Sequence, residues 1–145
     1  MEYSRNPTGV NKIKSVSLVD DDIVSNLLTS KTIQRSGFAK KVSSYDSAKE
    51  ALSEIVRLSF TNPEELPELI FLDISMPTMD GLEFLDEFDK LSLPLPEKCK
   101  VFMLSSSINA AEIQKAKNHS KVCDFISKPL TVYKLQDIFS QWGYA

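Results

Sequence analysis

Short apolar runs alternate along the chain with longer stretches whose apolar residues recur every three or four positions. This alternation predicts a β-α-β-α series feeding a parallel sheet. The strand candidates are residues 15–19, 41–44, 69–73, 100–105 and 122–127. The third and fourth are nearly continuous hydrophobic runs, as expected of central strands covered on both faces. The second is weak and polar, which suits an edge.

Five helix candidates lie between and after these runs. The first runs from about Ile23 to Ser36 and stops at Gly37, a residue suited to a left-handed C-cap. Its expected core face is Val24, Leu27, Leu28 and Ile33, diluted by Thr29 and Thr32. Asp46 is the expected cap of the second helix, whose Ala48, Ala51, Leu52, Ile55 and Val56 have helical spacing. Leu82, Leu85 and Phe88 mark the third, with Leu93-Pro94-Leu95-Pro96 as its stop. Asn109 is placed to cap the fourth and Thr131 the fifth, which carries Leu135, Ile138 and Phe139 and ends near Trp142.

Three polar clusters follow directly on apolar runs. Asp20-Asp21-Asp22 follows Val19, Asp73 closes the Leu69-Ile70-Phe71-Leu72 run, and Lys128-Pro129 follows Ile126-Ser127. If the runs are parallel strands, all three clusters share one edge of one sheet. Carboxylates, a lysine and a divalent cation then come within reach of one another, as phosphoryl chemistry requires. Magnesium takes oxygen ligands and needs only one or two carboxylates from a protein. Asp20, Asp21 and Asp73 supply that set, and a bound dication offsets their mutual repulsion. An aspartate can also attack phosphorus and form an acyl phosphate. Asp73 is the natural nucleophile, because its strand end is central, with Ser105 and Lys128 on later strands. Lys128 would then pair with Asp73 or with a phosphoryl oxygen, and Ser105 would donate to another. Taken singly, each cluster reads as a helix cap or an ordinary turn, with Asp22 a candidate cap; their common edge and order carry the inference.

Bulk composition narrows the picture further. With 145 residues and 42% hydrophobic content, the chain fits one domain with a single core. The expected division is a disordered leader over 1–13, a folded domain over 14–142 and a short tail over 143–145. Lys and Arg number 17 against 20 acidic residues, with no basic stripe, so nucleic-acid binding has little support. No apolar stretch approaches bilayer length, and the polar start lacks a signal-peptide core, so a cytoplasmic protein without membrane association is expected. Cys99 and Cys123 lack a C-x-x-C pairing and read as reduced thiols near strand starts. His119, in a polar stretch, reads as a solvated loop residue.

These motifs resemble the receiver domain of two-component response regulators over essentially Lys14 to Gln141. Val19-Asp20-Asp21-Asp22 is similar to the family's acidic pair, and the block from Asp73 through Met76-Pro77 to Asp80-Gly81 to its phosphorylation site. Ser105 matches the switch hydroxyl, Phe125 the switch aromatic, and Lys128-Pro129 the lysine with a proline that often follows a cis bond. The resemblance implies an α/β, doubly wound, flavodoxin-like fold with five parallel strands in the order 2-1-3-4-5. It implies Asp73 as phosphoacceptor, with Mg2+ bound by Asp21, Asp73 and the Ser75 main-chain carbonyl while Asp20 acts through water. The implied donor is a phosphohistidine on a sensor histidine kinase or a phosphotransfer protein, docking on the first helix and the loop after Lys128-Pro129. Two departures stand out: the segment 57–67 is longer than usual and suggests an altered surface loop, and Phe125 lacks a hydroxyl.

The leading expectation is a stand-alone response regulator, not an enzyme in its own right, that acts on a downstream protein target as a monomer or a phosphorylation-dependent dimer. A phosphorelay intermediate is the runner-up. A magnesium-dependent aspartyl phosphohydrolase of the haloacid-dehalogenase type needs a second aspartate two residues after the nucleophile, where this chain has Ser75. A plain interaction module with a degenerate site is disfavoured, since no acidic, hydroxyl or lysine element is missing.

Overall fold

The computed structural model describes residues 13–91 and 99–142. Residues 1–12 of the expected 1–13 leader, the Leu93–Pro96 stop and the 143–145 tail lie outside the described residues, while residue 13 belongs to the first strand and not to a leader. Five parallel strands form one sheet in the order β2-β1-β3-β4-β5: β1 (Ile13–Val19), β2 (Ala39–Tyr45), β3 (Leu69–Leu72), β4 (Lys100–Ser105) and β5 (Val122–Ser127). Helices α1 (Ile23–Ser36), α2 (Ala48–Thr61), α3 (Gly81–Lys90), α4 (Ala110–Asn118) and α5 (Val132–Gln141) connect and follow them. The predicted α/β fold and strand order therefore hold. The polar β2 is an edge, and β3 is buried along its whole length. β1 starts at Ile13, two residues before the expected Ser15, because Ile13 is fully buried and its N–H donates to the Phe38 carbonyl.

Side chains alternate across the sheet and divide the interior into two cores. Leu18, Phe71, Phe102 and Leu104 face α1 and α5, where they meet Ile33, Leu135, Ile138 and Phe139. Val19, Ile70, Leu72 and Met103 face the other way, against Ala51, Ile55, Phe84, Leu85 and Phe88 of α2 and α3 and Ala116 of α4. At the end of α5, Trp142 meets the fully buried Phe102 edge to face, with ring centroids 5.7 Å apart, and Lys100 Nζ lies 5.8 Å from its centroid.

Three local expectations need correction. Helix α2 is capped by Ser47, whose hydroxyl accepts from the Glu50 N–H at 3.2 Å, rather than by Asp46. The segment 57–67 is not an open loop: α2 continues to Thr61, and Pro63–Glu65 form a 3-10 turn started by the proline. The third is larger. On α1 only Ile33 of the expected apolar face is buried, while Val24, Leu27 and Leu28 are 63%, 54% and 61% exposed. The buried face is Asn26, Thr29, Ile33 and Ser36. The first turns of α1 lie over strand ends whose carbonyls need donors, so a polar side chain fits there better than an aliphatic one. Asn26 Nδ2 donates to the Asp20 carbonyl at 2.9 Å and to the Tyr45 carbonyl at 3.3 Å, tying the ends of β1 and β2 together.

Candidate functional site

The carboxyl ends of β1, β3, β4 and β5 converge on one edge. β1 and β3 are adjacent here, and the chain leaves them in opposite directions across the sheet, a topological switch point. Asp20 and Asp73 each sit one residue beyond a strand, and Asp73 N–H still donates to Val19 O at 2.9 Å, which fixes their register. Carboxylate oxygens of Asp20, Asp21 and Asp73 all lie within 4.8 Å of one another. Asp20 and Asp73 are buried and Asp21 is exposed.

The buried pair is not left bare. Asp20 Oδ1 accepts from the Asp22 N–H at 2.9 Å, and Asp22 in turn caps α1 by accepting from the Ser25 N–H at 3.1 Å. Asp73 Oδ1 accepts from the Ile74 N–H at 2.9 Å. Lys128 reaches across from the end of β5, with Nζ 2.5 Å from Asp20 Oδ2 and 3.7 Å from Asp73 Oδ2. The lysine thus pairs chiefly with Asp20 rather than with Asp73 as expected, since Asp20 presents the nearer oxygen.

Burial pushes the Asp73 carboxyl above the usual carboxylate range, against the Ser105 hydroxyl, which hydrogen-bonds to it and lowers it; Asp20 adds to the rise and Lys128 opposes it. Ser105 is fully buried at the end of β4, and its hydroxyl accepts from the Ser107 N–H at 3.2 Å. Ser107 donates through its own hydroxyl to Glu112 in the first turn of α4, at 2.9 Å. Phe125 is half-buried on β5 and packs against the core beneath α2, α3 and α4.

Loop geometry holds these groups in place. After Asp73 the chain turns sharply: Gly81 N–H donates to Ile74 O at 2.7 Å, and a Cβ at Gly81 would lie 2.2 Å from the Asp73 carbonyl. Only glycine permits that approach. The turn also holds Thr78 at φ 69°, an uncommon angle for a β-branched residue, and α3 then starts with a capping box between Asp80 and Glu83. Ser75 is exposed on this loop. Past Lys128, the bond to Pro129 is cis, and Lys134 Nζ donates to the carbonyls of Ser127 and Pro129. His119 is half-buried rather than solvated, with Nε2 3.4 Å from the Asp86 carboxylate.

Three carboxylates with an ammonium at hydrogen-bond distance suit a hard dication and, beside it, an anionic group. The donor set therefore fits magnesium. Asn26 is the residue that the sequence pattern concealed. Its one signal was a lone amide inside the apolar run from Ile23 to Leu28.

A family model described as "Response regulator receiver domain" matches residues 16–140. A solved two component response regulator from Cytophaga hutchinsonii superposes with a TM-score of 0.80 and 31% identity, over 90% of this chain and 97% of that one. The probable chemotaxis protein CheY of Rhizobium etli is 28% identical over 125 residues, covering 86% of this chain and 88% of that protein. A protein-glutamate methylesterase/protein-glutamine glutaminase of Treponema denticola is 29% identical over 114 residues. Those residues make up 79% of this chain, which spans only about a quarter (28%) of that relative's length. No helix among the described residues is long and apolar enough to cross a membrane.

Proposed function

Because the chain belongs to the family of response regulator receiver domains of two-component signalling, we propose that it accepts a phosphoryl group on Asp73 from a phosphohistidine. The donor is a sensor histidine kinase or a histidine phosphotransfer protein. An Asp73 carboxylate oxygen attacks phosphorus while the N–P bond breaks. The electron pair returns to the imidazole, which takes a proton from solvent, and Asp73 is left as an acyl phosphate. The carrying observation is the convergence of Asp20, Asp21 and Asp73 within 4.8 Å, with Lys128 bridging two of them.

Each residue has a proposed role. Asp21, Asp73 and the Ser75 main-chain carbonyl hold Mg2+, with Asp20 acting through water. When bound, the cation supplies positive charge that offsets the carboxylates and the incoming phosphoryl oxygens. Lys128 exchanges its contact with Asp20 for one with a phosphoryl oxygen. Ser105 turns its hydroxyl from Asp73 toward another, drawing on the loop that ends at Ser107 and Glu112. Space vacated by Ser105 is filled by the Phe125 ring, and α4, β5 and α5 shift together as one of two packings. The chain then signals, as a stand-alone regulator, through contacts with a downstream protein.

Incubation with acetyl phosphate and magnesium should add one acid-stable, base-labile phosphoryl group to the wild type and none to Asp73→Asn, read by intact-mass spectrometry. Equal labelling of the two proteins would exclude Asp73 as the acceptor.

A further inference from the structure

Four of the seven large hydrophobic side chains exposed among the described residues lie on one face of α1: Ile23, Val24, Leu27 and Leu28, each between 54% and 68% exposed. Scattered exposed aliphatics need no explanation, but four on two successive turns do. What flanks them is ordered by charge. At the N-terminal end, a groove of about 420 Å³ runs between Ile23 and Leu27 and an opposite wall of Ser44, Asp46 and Glu50. Ser47 takes the capping role of α2, so the Asp46 and Glu50 carboxylates are left at the surface. At the C-terminal end, the i, i+4 row that begins with Ile23 and Leu27 continues into Lys31 and Arg35, both exposed. None of these four charged groups forms an ion pair among the described residues. The face is therefore acidic at one end, apolar in the middle and basic at the other end.

We propose that this face is the contact of a two-fold dimer, in which α1 of one copy packs antiparallel on α1 of a second copy. Centring the four aliphatics on themselves buries the most apolar surface: Ile23 of one copy meets Leu28 of the other, and Val24 meets Leu27. Lys31 then falls one turn beyond the neighbour's Ile23, about 4.5 Å further along the helix axis. That is where Asp46 and Glu50 close the groove. Two-fold symmetry makes the same contact twice. A parallel pairing would set acid against acid and base against base, and is repulsive. A different protein would have to supply an apolar helix with a cationic end, whereas α1 already carries its own complement. That self-complementarity singles out a second copy. With about two helical turns from each copy, the pair is weak and concentration-dependent. It requires neither phosphorylation nor any movement of α4, β5 or α5, so it stands apart from the phosphotransfer reading.

Sedimentation equilibrium of the unphosphorylated chain, up to about 1 mM, tests this. Wild type should pass from monomer to dimer across that range. Leu27→Glu should weaken association by about tenfold or more. Lys31→Glu and Asp46→Lys should each weaken it as well. The chain carrying both changes should recover to within about threefold of wild type, because each copy then offers the swapped charges. Tyr133→Glu, exposed on α5, should leave association unchanged. All these positions are exposed, so the far-ultraviolet circular dichroism of every variant should match that of wild type. A wild type that stays monomeric throughout overturns the proposal and leaves the stripe to a different protein. Dimers that survive Leu27→Glu, or that are lost only in Tyr133→Glu, place the contact elsewhere and overturn it. So does a doubly substituted chain that associates no better than its two parents.

Discussion

Asp73 is held in a setting that works against its charge. Burial and the nearby Asp20 raise its carboxyl above the ordinary range, and Ser105, Lys128 and the Ile74 N–H only partly offset them. The folded protein therefore binds a proton at Asp73 more tightly than the unfolded chain does. Stability must fall as pH rises from the ordinary carboxylate value through the raised one, and the deficit persists above it. Without divalent cations, Asp73→Asn should accordingly be more stable than wild type at pH 7. The advantage should shrink below about pH 4, where both side chains are neutral. Urea unfolding at the two pH values checks this, and a variant less stable than wild type at pH 7 would contradict it. Cys99 shows the opposite outcome of burial: with its thiol pushed up to about 12, it stays protonated and inert under ordinary conditions.

Elements differ in how openly the sequence displays them. β3 and β4 were legible because a strand covered on both faces has to be apolar throughout, and the acids that follow strands were legible because the polypeptide must leave the sheet there. Helix α1 was not. Its large apolar residues point to solvent, and its buried face is polar because Asn26 serves the carbonyls of Asp20 and Tyr45. Periodicity marks an apolar stripe without saying what covers it. The contact of Lys128 with Asp20 was hidden for a similar reason, since sequence order places three groups on an edge but not which oxygen lies nearer. This arrangement predicts an inversion of the usual rule for helices. Asn26→Leu, an apolar substitution at a buried position, should destabilise the protein by about 1–3 kcal/mol by leaving the Asp20 carbonyl without its amide donor, although the Tyr45 carbonyl keeps the Asp20 N–H. Leu28→Ala on the outer face should cost within about 0.5 kcal/mol. Chemical denaturation of both variants measures the contrast, and a larger loss in Leu28→Ala would show that α1 is packed the other way.

At the scale of the whole molecule, one sheet separates two cores, and the site sits where both end. The core beneath α2, α3 and α4 includes Phe125 and so belongs to the half that the proposed switching disturbs. Its counterpart beneath α1 and α5 is closed by Trp142 over Phe102. Trp142 is the sole tryptophan of the chain. Its indole therefore works as an optical gauge placed on the second core alone. Emission should be blue-shifted in the native protein and should move to the red on denaturation along the same curve as the far-ultraviolet circular dichroism. A fluorescence transition at lower denaturant than the dichroism would reveal the last helix peeling away before the sheet dissolves, and would divide the molecule into two cooperative units.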